Sequence, residues 1–269
     1  MDSSIGLGTC QPARESARIS RVPYLTRTLA TLADLVLARP LWTAGIVTVI
    51  FTALGRWVRG VSFSGAIAGA AVCFLLYAGA GPGAFVALVS VFALTWLSTR
   101  FGYRRKEKLG TAEKLDGRTA LQVLANLAVA AICAGFSSFT AGKAVWLLAV
   151  SAALSEAAAD TVSSELGQAR NEKARLITTW QEVPAGTNGG VSWAGTLAGI
   201  VAATAVSWVC VLAGLVPTRW LAISIAAAIA GMVADSYLGA SLERRALLNN
   251  DAVNFLGTLI AAGAALLLV

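Results

Sequence analysis

Four stretches of this chain carry no charged side chain at all: Gly60–Thr99, Thr119–Gly142, Val183–Thr218 and Ala252–Val269. Each approaches or exceeds the roughly 20 apolar residues that a helix needs to cross the hydrocarbon of a bilayer. Backbone polar groups must be satisfied internally in lipid, so runs of this length fold as helices in a bundle. Only 13% of the residues are charged, against about 25% in a soluble domain. The expected fold is therefore an all-α integral membrane protein. Eight spans are expected, at 41–58, 61–80, 84–100, 119–136, 143–165, 191–213, 219–240 and 253–269. The first is the weakest, because Arg56 follows Pro40 so closely, and without it seven remain. Residues 1–39 read as a tail and an amphipathic helix, and 40–269 as one transmembrane catalytic domain. In the tail, Leu25, Leu29, Leu32 and Val36 form one helical face opposite Arg27, Thr31 and Asp34, a pattern suited to a membrane surface. The basic, polar first twenty residues precede no simple apolar core, so no cleavable signal peptide is expected.

The distribution of charge sets orientation. Seven Lys and Arg lie between Arg100 and Arg118, and the loops at 56–60, 167–190 and 241–250 fall on the same side as that stretch. The opposite short loops hold only Lys143 and Arg219. By the positive-inside rule the basic side is cytoplasmic, as in a bacterial inner membrane. The tail, with its own arginines, then lies outside unless the first span is re-entrant. Net charge +7 is thus spent on topology rather than on nucleic acid.

No histidine occurs, which excludes a Ser-His-Asp triad, a His-ligated zinc and a histidine proton shuttle. Cys10, Cys73, Cys133 and Cys210 are far apart and read as small core-filling side chains. Acidic and amide groups, by contrast, gather at helix ends. In "LSEAAADTVSSELG", Glu156 and Asp160 share a helix face with Ser163 and Gly167, while Glu165 points away. In "GMVADSYLGA", Gly231 and Gly239 leave open space beside Asp235. "NNDAVNFLG" supplies Asn250, Asp251 and Asn254, and "LQVLANLA" supplies Gln122 and Asn126. All four motifs sit at cytoplasmic helix ends. Ionisable groups there are costly and mark function by default. Gln122 and Asn126 are equally readable as interhelical hydrogen-bond glue, and Asn250 as the N-cap of the last helix.

Carboxylates with hydroxyls and amides suit a hard, oxygen-ligated cation such as Mg²⁺, held by Asp160 and Asp235 with Glu156 and Asp251 beside them. "PAGTNGGVS" offers Gly186, Thr187, Asn188, Gly189, Gly190 and Ser192 before a helix N-terminus, an arrangement that cradles phosphate oxygens. A tight turn explains the same glycines. Small residues in "SGAIAGAA" and "SWAGTLAG" are consistent with a lipid groove or with close helix packing.

"GTAEKLDGRTALQVLAN", "SEAAADTVSSELG", "PAGTNGGVS", "VADSYLGA" and "NNDAVNFLG" occur in an order that resembles the integral-membrane family catalogued as domain of unknown function ninety-two. That family includes a plant phytyl-phosphate kinase and a human multi-pass protein. The resemblance covers residues 40–269. It implies transfer of a phosphoryl group from a nucleoside triphosphate, CTP first, to an isoprenyl monophosphate in the membrane. In that reaction Asp160, Asp235 and Glu156 are the expected catalytic acids. Lys114, Arg118 and Arg175 are expected to balance phosphate charge, and Asn126, Asn250 and Asn254 to orient groups. A nucleotidyltransferase forming a CDP-lipid, or a transporter of phosphorylated lipids, are the alternatives.

Overall fold

The computed structural model describes residues 41–113, 116–170 and 173–269. The expected amphipathic helix of the tail and Lys114 lie outside them. Leu41–Val269 forms one compact unit. Helix α1 (Leu41–Trp57) leads to α2 (Phe63–Ala80), α3 (Pro82–Arg100) and a short α4 (Tyr103–Leu109). Next come α5 (Ala120–Phe139) and α6 (Lys143–Arg170). Strands β1 (Ala174–Leu176), β2 (Glu182–Val183) and β3 (Gly190–Val191) separate α6 from α7 (Trp193–Leu212). Helix α8 (Leu221–Leu238) runs into a π-helical turn at Gly239–Glu243, and α9 (Asn250–Leu267) completes the bundle.

Among the described residues, seven helices are long and apolar enough to cross a membrane. The first expected span, α1, is the short one at 17 residues. The small sheet, ordered β2-β1-β3 and antiparallel, was not part of the expected all-α pattern. It is confined to the loop between α6 and α7.

Helix α6 is the axis of the bundle and packs against α3, α5, α7, α8 and α9. Every residue from Leu148 to Ala159 is buried. The run "LAVSAALSEAAA" explains this, because small side chains all round let five neighbours approach one backbone. Its 28 residues span roughly 42 Å, longer than the ~30 Å hydrocarbon layer, so one end emerges beyond it. Near the other half of α6, Ser151, Ser155, Ser207 and Ser224 form a buried chain of hydroxyls. The links are Ser151–Ser224 (2.8 Å), Ser207–Ser224 (3.0 Å) and Ser155–Ser207 (2.9 Å), joining α6, α7 and α8. The bundle surface is apolar, with Trp57, Phe139 and Trp193 more than 80% exposed, as aromatic side chains at membrane interfaces are.

The loops at 56–62, 100–113, 116–118, 174–192 and 239–250 all gather at one end. Arg118 donates its N–H to the Gly60 carbonyl (3.2 Å) and accepts from the Ser62 N–H (2.9 Å), and Arg56 pairs with Asp116 at 3.0 Å. Lys106 of α4 is wholly buried. It donates to the carbonyls of Ser98 (3.0 Å) and Thr99 (2.6 Å) and forms an ion pair with Glu165 of α6. Glu165 thus ties α4 to α6, and, contrary to the expectation that it points away, it lines the same polar cavity as Asp160 at the loop end.

Candidate active site

At the loop end, a polar cavity of about 290 Å³ opens between α5, α6, α8, α9 and the glycine loop. Its wall includes Asp160 from α6, Asp235 from α8, and Asn250 and Asn254 from α9. Gln122 and Asn126 enter from α5, Arg118 from the loop before it, and Gly186, Thr187, Asn188, Gly189, Gly190 and Ser192 from the opposite side. Five motifs spread over more than a hundred residues of sequence thus share one chamber.

The acids meet at its floor. Asp160 and Asp235 lie close enough to interact directly, and both stand as charged neighbours of Glu156. Glu156 lies just beneath the cavity, 1% exposed. Its Oε1 and the Oδ2 of Asp235 are buried with no hydrogen-bond partner. Two glycines make that floor possible. A Cβ at Gly257 would fall 2.6 Å from Glu156 Oε1, and one at Gly231 would fall 2.6 Å from the Gly257 carbonyl. The expected open space at Gly231 is therefore filled by α9 and Glu156. Around Gly239 the space is likewise taken, by the backbone of Gly189. Both glycines serve close approach.

Arg118 is the cation facing these acids. Its guanidinium lies 3.5 Å from Thr161 Oγ1 and is the charged neighbour of Asp160. Gln122 completes a capping box with Thr119 at the start of α5 and donates through Nε2 to Glu113 (3.0 Å). Asn126 donates to the Gln122 carbonyl (2.8 Å) of its own helix, so its bond is local rather than interhelical glue. On α9 the N-cap is Asn249, whose side chain accepts from the Ala252 N–H (2.9 Å). Asn250 is the first helical residue and faces the cavity instead of capping.

The glycine loop is a turn and a cavity wall together. Thr187 and Gly190 donate their N–H groups to the Pro184 and Thr187 carbonyls (3.2 and 2.8 Å), which removes them as phosphate donors. Among the described residues, that leaves the amides of Gly186, Asn188 and Gly189 outside the loop's own backbone bonding. Gly189 sits at φ +73°, and a Cβ there would meet the Ala240 backbone nitrogen at 2.4 Å. Only glycine fits this docking on the π-helical turn. Ser192 caps α7 by accepting from the Gly195 N–H (3.1 Å).

Two expected residues stand apart. Arg175 does not line the cavity. It lies on β1, 3.7 Å from Glu182 across the strand pair, and the hydrogen bond from Lys173 holds the Glu182 carboxyl below its ordinary pKa. Asp251 occupies the first turn of α9 without lining the cavity. Thr111, Glu113, Gln168, Ser236 and Glu243 do line it, and no periodic pattern in the sequence marked them. Among the described residues, no three acids form a ready-made metal cage. Mg²⁺ typically takes only one or two carboxylates, with substrate phosphates and water completing its shell. The orphaned oxygens and the Asp160–Asp235 contact fit that lesser demand.

The family model described as "Integral membrane protein DUF92" matches residues 46–262. The uncharacterized membrane protein MJ0933 of Methanocaldococcus jannaschii is 34% identical over 207 residues, covering 75% of this chain and 83% of its own. Protein VTE6, chloroplastic, of Arabidopsis thaliana is 31% identical over 240 residues, covering 83% and 72%. The uncharacterized membrane protein sll0875 of Synechocystis is 34% identical over 199 residues, covering 70% and 76%. No solved structure matches the chain.

Proposed function

The chain belongs to the DUF92 family of integral membrane proteins, and on that premise we propose that it is an isoprenyl monophosphate kinase. The observation that carries this reading is the shared cavity, in which Asp160, Asp235, Arg118 and the 186–192 loop converge. It draws further support from the resemblance to a family that includes a plant phytyl-phosphate kinase.

Phosphoryl transfer depends on positioning and charge neutralisation more than on covalent help. Arg118 holds the acceptor phosphate against the acids that it faces. The amides of Gly186, Asn188 and Gly189 hold the triphosphate of the donor, with CTP the first nucleotide to test. An acceptor oxygen attacks the terminal phosphorus, the bond to the β-phosphate oxygen breaks, and a lipid diphosphate and a nucleoside diphosphate leave. A phosphate monoester is largely dianionic at neutral pH, with a second pKa of about 6, so the absence of histidine does not impede the step. Asp160 and Asp235, with Glu156 beneath them, would hold Mg²⁺, which when bound offsets the charge of the phosphates. Asn126, Asn250 and Asn254 orient polar groups from the far wall. In this reading the cavity faces the cytoplasm, the side on which nucleotides are abundant.

The test is incubation of the reconstituted protein with Mg²⁺, each nucleoside triphosphate and a series of isoprenyl monophosphates, with products read by mass spectrometry. Lipid diphosphate together with nucleoside diphosphate is the expected result. Pyrophosphate release with a CDP-lipid would assign the same parts to nucleotidyl transfer. Asp160→Asn is expected to lower kcat at least about a hundredfold with the melting curve intact, the scale of removing a charge-stabilising group. Near-normal turnover by that variant would remove Asp160 from the mechanism.

A further inference from the structure

A second cavity, about 430 Å³, lies between α1, α2, α3 and α5, and its character is the opposite of the first. Phe51, Leu88, Val91, Phe92, Val123 and Leu127 make its body apolar. Its charged residues, Arg59, Arg100, Arg118 and Glu113, come from the loop end of the bundle, three guanidinium groups against one carboxylate. Arg118, Glu113, Gln122 and Asn126 line both cavities, so the apolar chamber and the acidic one adjoin at the side chain that faces Asp160. The arginine end is held firmly. Arg100 stacks 4.3 Å from the Trp96 ring and donates to the Val58 carbonyl (2.6 Å), and Trp96 Nε1 donates to that same carbonyl (3.2 Å). The two small-residue stretches divide accordingly. Ala66 and Gly69 of "SGAIAGAA" line this chamber, whereas Gly195 and Gly199 of "SWAGTLAG" press against α6 carbonyls, where a Cβ would meet Ser163 and Ala159 oxygens at 2.6 and 2.9 Å.

We infer that this chamber is the binding groove for the hydrocarbon tail of a single-chain lipid monophosphate, with Arg118 gripping its phosphate at the threshold of the acidic cavity. The inference rests on the kinase reading for what happens to that phosphate, but not for the lipid's place. The charge pattern selects the occupant. Three guanidinium groups at one end and an apolar body suit an anionic head on a tail, and the volume falls in the range of a site for one small ligand. The same placement explains how a membrane-borne acceptor reaches a polar cavity: the head crosses the Arg118 threshold while the tail stays in an apolar environment.

Gly69 provides the test, because a Cβ there meets nothing within 4 Å, so a larger side chain enters the chamber without displacing backbone. The probe is a C20 isoprenyl monophosphate carrying a diazirine at its tail end, photolysed with the full chain in vesicles, with labelled peptides mapped by mass spectrometry. Labelling is expected on Phe51, Leu88 or Val91, competed by unlabelled isoprenyl monophosphate and not by the matching alcohol. Gly69→Leu is expected to reduce it about tenfold. Gly263→Leu is the control, an equally open position outside the chamber, and is expected to leave it unchanged. Labelling on other helices, indifference to Gly69→Leu, equal competition by the alcohol, or equal labelling by a diazirine phosphatidate would each overturn the inference. Labelling in the groove without phosphoryl transfer from any nucleotide would uphold the groove and defeat the kinase. Transfer accompanied by labelling elsewhere would do the reverse.

Discussion

Lys106 has no exposed surface, and its partner Glu165 is nearly as enclosed, so the pair behaves as a buried ion pair rather than a surface one. Removing one member leaves the other charged and unneutralised, a cost of about 3–5 kcal/mol. Lys106→Met should therefore lower the melting temperature sharply in detergent, and adding Glu165→Leu should recover much of the loss. Melting of the single variant at the wild-type temperature would show that the pair is not a clamp. No sequence pattern announced this pair, because its members are 59 residues apart and belong to different elements. Asp160, Asp235, Asn126 and Asn254 were legible for the opposite reason: each acid or amide interrupts an apolar helix, where a polar group needs a cause. Arg175 misled because its neighbour Glu182 is fixed by strand register, which the sequence does not display.

Helix α8 ends in a π-helical turn, a form that is rare and concentrated at functional sites. Here it carries Glu243 into the cavity and presents Ala240 to the glycine loop. Gly189→Ala would force a left-handed backbone on a residue with a side chain and push it into Ala240. The strain of about 1–2 kcal/mol alone corresponds to roughly tenfold. The expected outcome is a rise of about tenfold or more in the KM for nucleoside triphosphate, measured by steady-state assay, with a smaller change for the lipid. An unchanged KM would place the nucleotide elsewhere. Elements of two and three residues such as β1–β3 are too short for strand alternation to register, and a π-helical turn has no hydropathy period of its own. The long helices were readable to within a few residues because bilayer thickness dictates their length.

At the scale of the whole molecule, four loops that alternate along the chain converge at one end, as the alternation of spans requires. Their basic character predicts that this end faces the cytoplasm. In a Cys10→Ser background, Thr179→Cys should react with an impermeant maleimide only from the cytoplasmic side, and Ala141→Cys only from the other. The reversed pattern would overturn the orientation. What hydropathy could not supply was which helices lie side by side, since lipid-facing and neighbour-facing apolar surfaces look alike in sequence. The small-residue run of α6 was the one clue to a central axis. The serine chain linking α6, α7 and α8 joins α6 at Ser151 and Ser155, nine and five residues or about 14 and 8 Å along the helix from Asp160. Like the joined end of a pair of tweezers, it keeps three arms from sliding where they meet. Any yielding that admits a bulky donor then falls to the free tips, where the sheet and the glycine bend ride.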